Sequence, residues 1–235
     1  MAITNQAVQR MPRKVGLRPW DIVGAAAFLI IAVEFYMALL WVPADLIQGE
    51  PYRIVYVHVP MITISYIAFT LVFFSSVLYL WKRKPVHDIF ARSAAEVGLF
   101  FLTLVILSGG LWGEATWGTF WQWEPRLTFT FILWLIFLGY FMLRNAAENK
   151  ERMARYCAVV GILGFADIPM ISSSVYLWRG LHPEVTVPPP QVGYTLLVGF
   201  AGFLLAFGYL MNLRFRIDRA QADAADLRAE LEVRA

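Results

Sequence analysis

The chain has 235 residues, 59% of them hydrophobic and 16% charged, and a formal net charge of +3 at pH 7. Soluble domains carry about 25% charged residues, so the composition excludes an ordinary water-soluble globular protein. The single cysteine, Cys157, excludes a disulfide framework and any C-x-x-C metal, redox or c-type haem motif.

Six apolar runs, at 21–42, 59–81, 93–112, 127–143, 156–177 and 192–213, are each long enough to cross a hydrocarbon layer about 30 Å thick. They predict an all-α fold: a polytopic membrane helical bundle of six transmembrane helices, read as a single membrane domain over 1–235. No period-two alternation in short segments supports a β-barrel. The first run is too long for a signal-peptide core and no A-x-A site follows it, so it is read as a span. The charged, Ala-rich stretch 214–235 is expected to be a tail lying at the surface as a helix.

The basic residues orient the bundle. Seventeen of the 20 Lys and Arg fall in the N-terminal arm, in the connections after the second and fourth spans, and in the tail. The other side keeps Arg53, Arg126 and Arg179 alone. By the positive-inside rule both termini are cytoplasmic, and the connections after spans one, three and five face outward. The basic pI thus reflects topology and contact with the lipid bilayer, and implies no nucleic acid. No P-loop motif is present, so ATP-driven work would fall to another subunit.

The outward segments carry the unusual chemistry. The first ends in Arg53-Ile-Val-Tyr-Val-His58-Val-Pro60. Pro60 is read as the first turn of the second span, which puts His58 in the loop just before it. The second, 112–126, is a Trp-rich loop, W-G-E-A-T-W-G-T-F-W-Q-W-E-P-R, holding Trp112, Trp117, Trp121 and Trp123. The third contains Trp178, Arg179, His182 and Pro183, with a Pro188–Pro190 run that stiffens the return to the membrane.

An aromatic platform flanked by two histidines fits a flat, apolar, iron-bearing ligand, namely non-covalent, b-type haem. Neutral imidazole is a common haem ligand, and His58 and His182, on different loops, could approach opposite faces. The third histidine, His87, lies among lysines on the other side. Arginine pairs with carboxylates through two parallel hydrogen bonds, so one or two of Arg53, Arg126 and Arg179 are candidates for the haem propionates. Each element also has a plainer reading. Tryptophans form belts at membrane interfaces, and arginines cap helix C-termini. Rings concentrated in one loop favour the platform.

Trp117-Gly118-Thr-Phe-Trp121-Gln-Trp123-Glu124 resembles the W-G-x-x-W-x-W-D signature of the haem-handling membrane proteins of cytochrome c maturation (CcmC, CcmF and CcsA). Arg126-Leu-Thr, Arg53-Ile-x-Tyr-x-His58-Val-Pro60, Leu181-His182-Pro183 and the short length are similar to the haem exporter protein C (CcmC) branch. The resemblance implies a bacterial inner-membrane protein that holds haem at the outer face between the motif and His58 and His182. It also implies hand-over to the chaperone CcmE, with CcmA, CcmB and CcmD as partners. Two positions depart from the pattern: Glu124 stands in place of aspartate, and Pro125 follows it. No side chain is suited to be a catalytic nucleophile, so presentation of haem is expected rather than ordinary enzymology. The alternative is a transporter carrying haem or another amphipathic solute through its own bundle.

Three acids fall within spans. Asp167 is the most central, read either as a neutral hydrogen-bonded carboxyl or as a polar element of a haem path. Glu34 is placed within reach of the outward chemistry, and Glu96 is expected to turn toward Arg92.

Overall fold

The computed structural model describes residues 18–146, 149–178 and 188–234. Six long helices account for nearly all of them: α1 (Pro19–Tyr36), α2 (Val55–Lys82), α3 (Pro85–Trp117), α4 (Pro125–Ala146), α5 (Lys150–Leu177) and α6 (Pro190–Arg234). A π turn (Met37–Trp41) extends α1, and a 3-10 turn (Glu50–Ile54) leads into α2. All six are long and apolar enough to cross a membrane, and the protein is a multi-pass membrane protein.

Local chemistry fixes the boundaries. Pro19, Pro85, Pro125 and Pro190 each open a helix, where the missing N–H is no loss. Asn149 caps α5 by accepting from the Arg152 amide at 2.9 Å. α2 and α3 end in left-handed residues, Arg83 and Gly118. The chain's two ends of the bundle differ in composition, and are called here the Trp-rich end and the basic end.

Packing follows the chain with α2 at the centre, against α3, α5 and α6; α1 lies mainly on α6, and α4 mainly on α5. Phe69 of α2 stacks on Phe137 of α4 at 3.9 Å between ring centres, inside a core that includes Leu102, Leu133 and Ile171. Apolar lipid gives helices no hydrophobic reason to associate, so close approach at small residues does the work. At Gly161 of α5, an added Cβ would lie 2.8 Å from Val72 of α2.

Four helices differ in their bounds from expectation. The helix of the second span begins at Val55, not 59, so Pro60 sits inside it and His58 is helical rather than in a loop. The preceding 3-10 turn, opened by Pro51, already supplies the first turn, so Pro60 is not needed to start the helix. α3 begins at Pro85 and continues to Trp117, so the first part of the Trp-rich loop is helix; nothing breaks it before Gly118, whose φ is +72°. α5 extends back to Lys150 under its Asn cap. The tail is no separate helix: α6 runs unbroken to Arg234, because no proline or glycine interrupts a stretch rich in helix formers after Gly208.

The basic end is closed by ion pairs. Arg144 of α4 grips Asp88 of α3 with two bonds, of 2.7 and 3.0 Å, and donates to the Tyr140 hydroxyl at 2.6 Å. Asp218 of α6 accepts from Ser93 at 2.8 Å, and faces Arg214 at 3.0 Å and Arg92 at 3.7 Å. Glu96 pairs with Arg214 at 2.7 Å instead of Arg92. The nearer guanidinium is the one α6 presents, and Arg92 is drawn to Asp218.

Candidate functional site

Three stretches converge at the Trp-rich end. The first is the turn after α1. Asp45 accepts from the amides of Ile47 (2.9 Å) and Gln48 (2.7 Å), and Gly49 at φ +65° closes the turn. This Asx turn presents the side-chain Oε1 of Gln48, which accepts from the indole N–H of Trp112 at 2.8 Å. The same indole meets Tyr52 edge-on at 6.2 Å, and Tyr52 meets Tyr56 at 6.3 Å.

The second stretch is α2, carrying His58. Its imidazole is half-buried against α3. Nδ1 lies 3.0 Å from the Ser108 hydroxyl, Gly109 sits beneath Cε1, and Trp112 meets the ring edge-on at 5.8 Å. Trp117, one turn further, stacks with Trp112 at 6.4 Å.

The third stretch folds back over the end of α3. Gly118 donates to the Glu114 carbonyl at 3.1 Å, and the left-handed backbone it adopts is one only glycine takes cheaply. The reversal lays Phe120 on Gly110, where an added Cβ would come within 2.4 Å of the ring. Thr119 donates to the Trp121 carbonyl at 3.0 Å. The Glu124 carbonyl then starts α4, accepting the Thr128 amide at 2.9 Å and hydroxyl at 2.8 Å.

The four tryptophans therefore form two groups. Trp112 and Trp117 belong to the His58 cluster. Trp121 and Trp123 pack edge-on with each other at 5.7 Å and against Phe131 of α4 at 5.7 and 6.2 Å. Trp123 is 73% exposed, and the Trp121 indole N–H is buried without an acceptor among the described residues.

The arginines also divide. Arg53 bonds to Glu50 and to the carbonyls of Ala38 and Val42, the last at 2.9 Å. It thus caps the C-terminal end of the first span, the plainer of the two readings, and its guanidinium is engaged there rather than presented to a propionate. Arg126 is different: its Nε is buried, and its guanidinium makes no hydrogen bond or ion pair among the described residues. Tyr66 of α2 lies within electrostatic reach of both Arg126 and Asp167 of α5, and Asp167 Oδ2 is also buried without a donor. His182 and Arg179 lie outside the described residues.

Glu34 is wholly buried, its carboxyl against Gly199 of α6, which also faces Pro60 of α2, and neither carboxyl oxygen is hydrogen-bonded among the described residues. Gln48, Tyr52, Ser108 and Tyr66 are members of this end that sequence reading passed over. The one local signal was Ser108-Gly109-Gly110-x-Trp112, a hydroxyl and two glycines beside a tryptophan on one helix.

A model of the Heme exporter protein C family matches residues 5–230. This chain belongs to that family. A Heme exporter protein C of Paracoccus denitrificans is 31% identical, over 90% of each chain. A protein of Marchantia polymorpha, described as a putative cytochrome c biosynthesis ccmC-like mitochondrial protein, is 32% identical over 83% of each. The Heme exporter protein C of Escherichia coli K12 is 27% identical over 84% of this chain and 82% of its own. Membership supports a role in haem export and cytochrome c maturation.

Proposed function

We propose that this protein binds haem non-covalently at the Trp-rich end and presents it to the chaperone CcmE, with CcmA, CcmB and CcmD as assembly partners. The observation that carries this reading is the setting of His58: an imidazole held against α3 by Ser108, Gly109 and Trp112, at the end of the bundle that also carries the exposed rings of Phe120 and Trp123. His58 and His182 serve as axial ligands. Trp117, Trp121 and Trp123 supply ring area against the porphyrin, and Gly118 lets the loop fold over α3. Arg126, a half-buried cation with no protein counter-charge among the described residues, suits a propionate, and Arg179 is the second candidate. Glu124 orders the loop or meets the chaperone, since a carboxylate beside propionates would repel them.

The positive-inside bias supports an inner-membrane protein with both termini cytoplasmic and the Trp-rich end outside. Cysteines placed at Thr119 and Gln191 are then labelled by an impermeant thiol reagent added to intact cells, and one at Asn149 is not; the reverse pattern inverts the orientation.

The deciding experiment is the absorption spectrum of the purified protein. Wild type gives a low-spin bis-histidine spectrum, His58→Ala and His182→Ala shift it or lose haem, and His87→Ala leaves it unchanged. An unaltered spectrum in both outer-histidine variants removes the axial assignment.

One observation favours the second reading, transport of haem or another amphipathic solute through the bundle. Arg126 and Asp167, both within electrostatic reach of Tyr66 of α2, leave buried polar atoms unmatched among the described residues. A path there predicts that Asp167→Leu stops haem reaching the outer face while haem added from outside still binds.

A further inference from the structure

His58 and Ser108 stand on different helices, and the hydroxyl sits in a chain of two hydrogen bonds. Ser108 Oγ donates to the Val105 carbonyl at 3.2 Å and lies 3.0 Å from His58 Nδ1. A serine hydroxyl has one proton. With that proton directed at a carbonyl, which can only accept, Ser108 offers His58 lone pairs alone. Both bonds form together only when Nδ1 carries the imidazole proton, which leaves the lone pair on Nε2. Gly109 beneath Cε1 and Trp112 against the ring edge fix the plane of the imidazole.

We propose that Ser108 is the positioning residue for His58: it fixes the Nδ1–H tautomer and, by accepting that proton, makes Nε2 a better donor to the iron of the cargo. The inference rests on the reading of His58 as an iron ligand. Outer hydrogen bonds to a ligating histidine commonly come from carboxylates, which raise ligand basicity strongly. A neutral hydroxyl is a weaker acceptor. It orders the ring without making the ligand so basic that the iron is hard to release, which suits a protein that hands its haem on.

Two measurements test this on the full-length protein in micelles. The first needs no haem: nitrogen NMR of 15N-histidine-labelled protein, with the His58 signals assigned by their loss in His58→Ala. Wild type shows protonated Nδ1 and unprotonated Nε2. Ser108→Ala shifts His58 toward a mixture of tautomers, and Ser108→Thr, which keeps the hydroxyl, restores it. The second is titration with ferric haem. Ser108→Ala weakens binding about tenfold, the lower end of losses on removing such outer partners, and raises the reduction potential of the bound iron; Ser108→Thr stays within about twofold of wild type. A wild-type His58 protonated at Nε2 overturns the proposal, and needs no variant to fold. So does a Ser108→Ala protein unchanged in both tautomer and haem affinity. If His58→Ala binds haem as wild type does, with the same spectrum, the ligand assignment fails whatever the tautomer, and the role given to Ser108 fails with it.

Discussion

The two ends of the bundle treat buried charge in opposite ways. At the basic end, Arg144 faces Asp88 and Arg214 faces both Asp218 and Glu96. At the Trp-rich end, Arg126 faces no carboxylate among the described residues, and the Trp121 indole N–H points at no acceptor. Burying a charge without a partner is costly. The pairs of the basic end clamp its helices together, whereas at the Trp-rich end Arg53 is paired with Glu50 and Arg126 is the cation with no carboxylate partner among the described residues.

Removing Arg144 tests the clamp most severely. Arg144→Ala strands a mostly buried Asp88, and breaking one side of a buried pair costs about 3–5 kcal/mol. A large fall in thermal midpoint in detergent is expected, while protein that survives keeps the wild-type haem spectrum. Arg126→Gln should invert that outcome. Thermal stability holds or rises, because an unmatched charge is gone, and haem affinity falls by about 1.5–3 kcal/mol, the worth of a charge-assisted hydrogen bond. A fall in stability as large as that of Arg144→Ala would erase the distinction between the ends.

Gly110→Ala forces Phe120 off α3. Overpacking of this kind costs about 1–3 kcal/mol, and the damage should appear in haem content, with the ion pairs of the basic end intact. Trp112→Phe loses the bond to Gln48, worth about 0.5–1.5 kcal/mol, and loosens the turn after α1, seen as faster amide exchange at Gln48. The smallest effect is at Glu124: Glu124→Asp should leave haem content and transfer to CcmE unchanged, and Glu124→Gln should keep haem but impair transfer. Loss of haem in Glu124→Gln as complete as in His58→Ala would put the acid inside the binding site.

The six spans were legible because hydropathy is a local property, summed over about 20 residues at a time. Their ends were less so. Pro60 carries the same signal at the first turn of a helix as inside one, and only the preceding 3-10 turn decides between them. The site was legible in its rings and histidines, which the Trp-rich motif displays directly. Its supports were not. Ser108 and His58 are 50 residues apart in sequence, and Trp112 and Gln48 are 64 apart; no periodicity links such pairs before α2 and α3 pack. Arg53 shows the converse: its kinship with Arg126 as a basic residue on the Trp-rich side hid its bonds to the carbonyls that close the end of the first span.

α6 gives the molecule a further property. It spans 45 residues, with no proline after the first, and at about 1.5 Å per residue it measures about 67 Å, twice the hydrocarbon thickness. One of its ends adjoins the segment that carries His182; the other stands beyond the ion pairs of the basic end. A continuous helix resists bending over that distance far more than a loop does. A push or twist on the part beyond the ion pairs would be carried along the shaft past Asp218, where Ser93 and Arg92 of α3 hold it to the bundle.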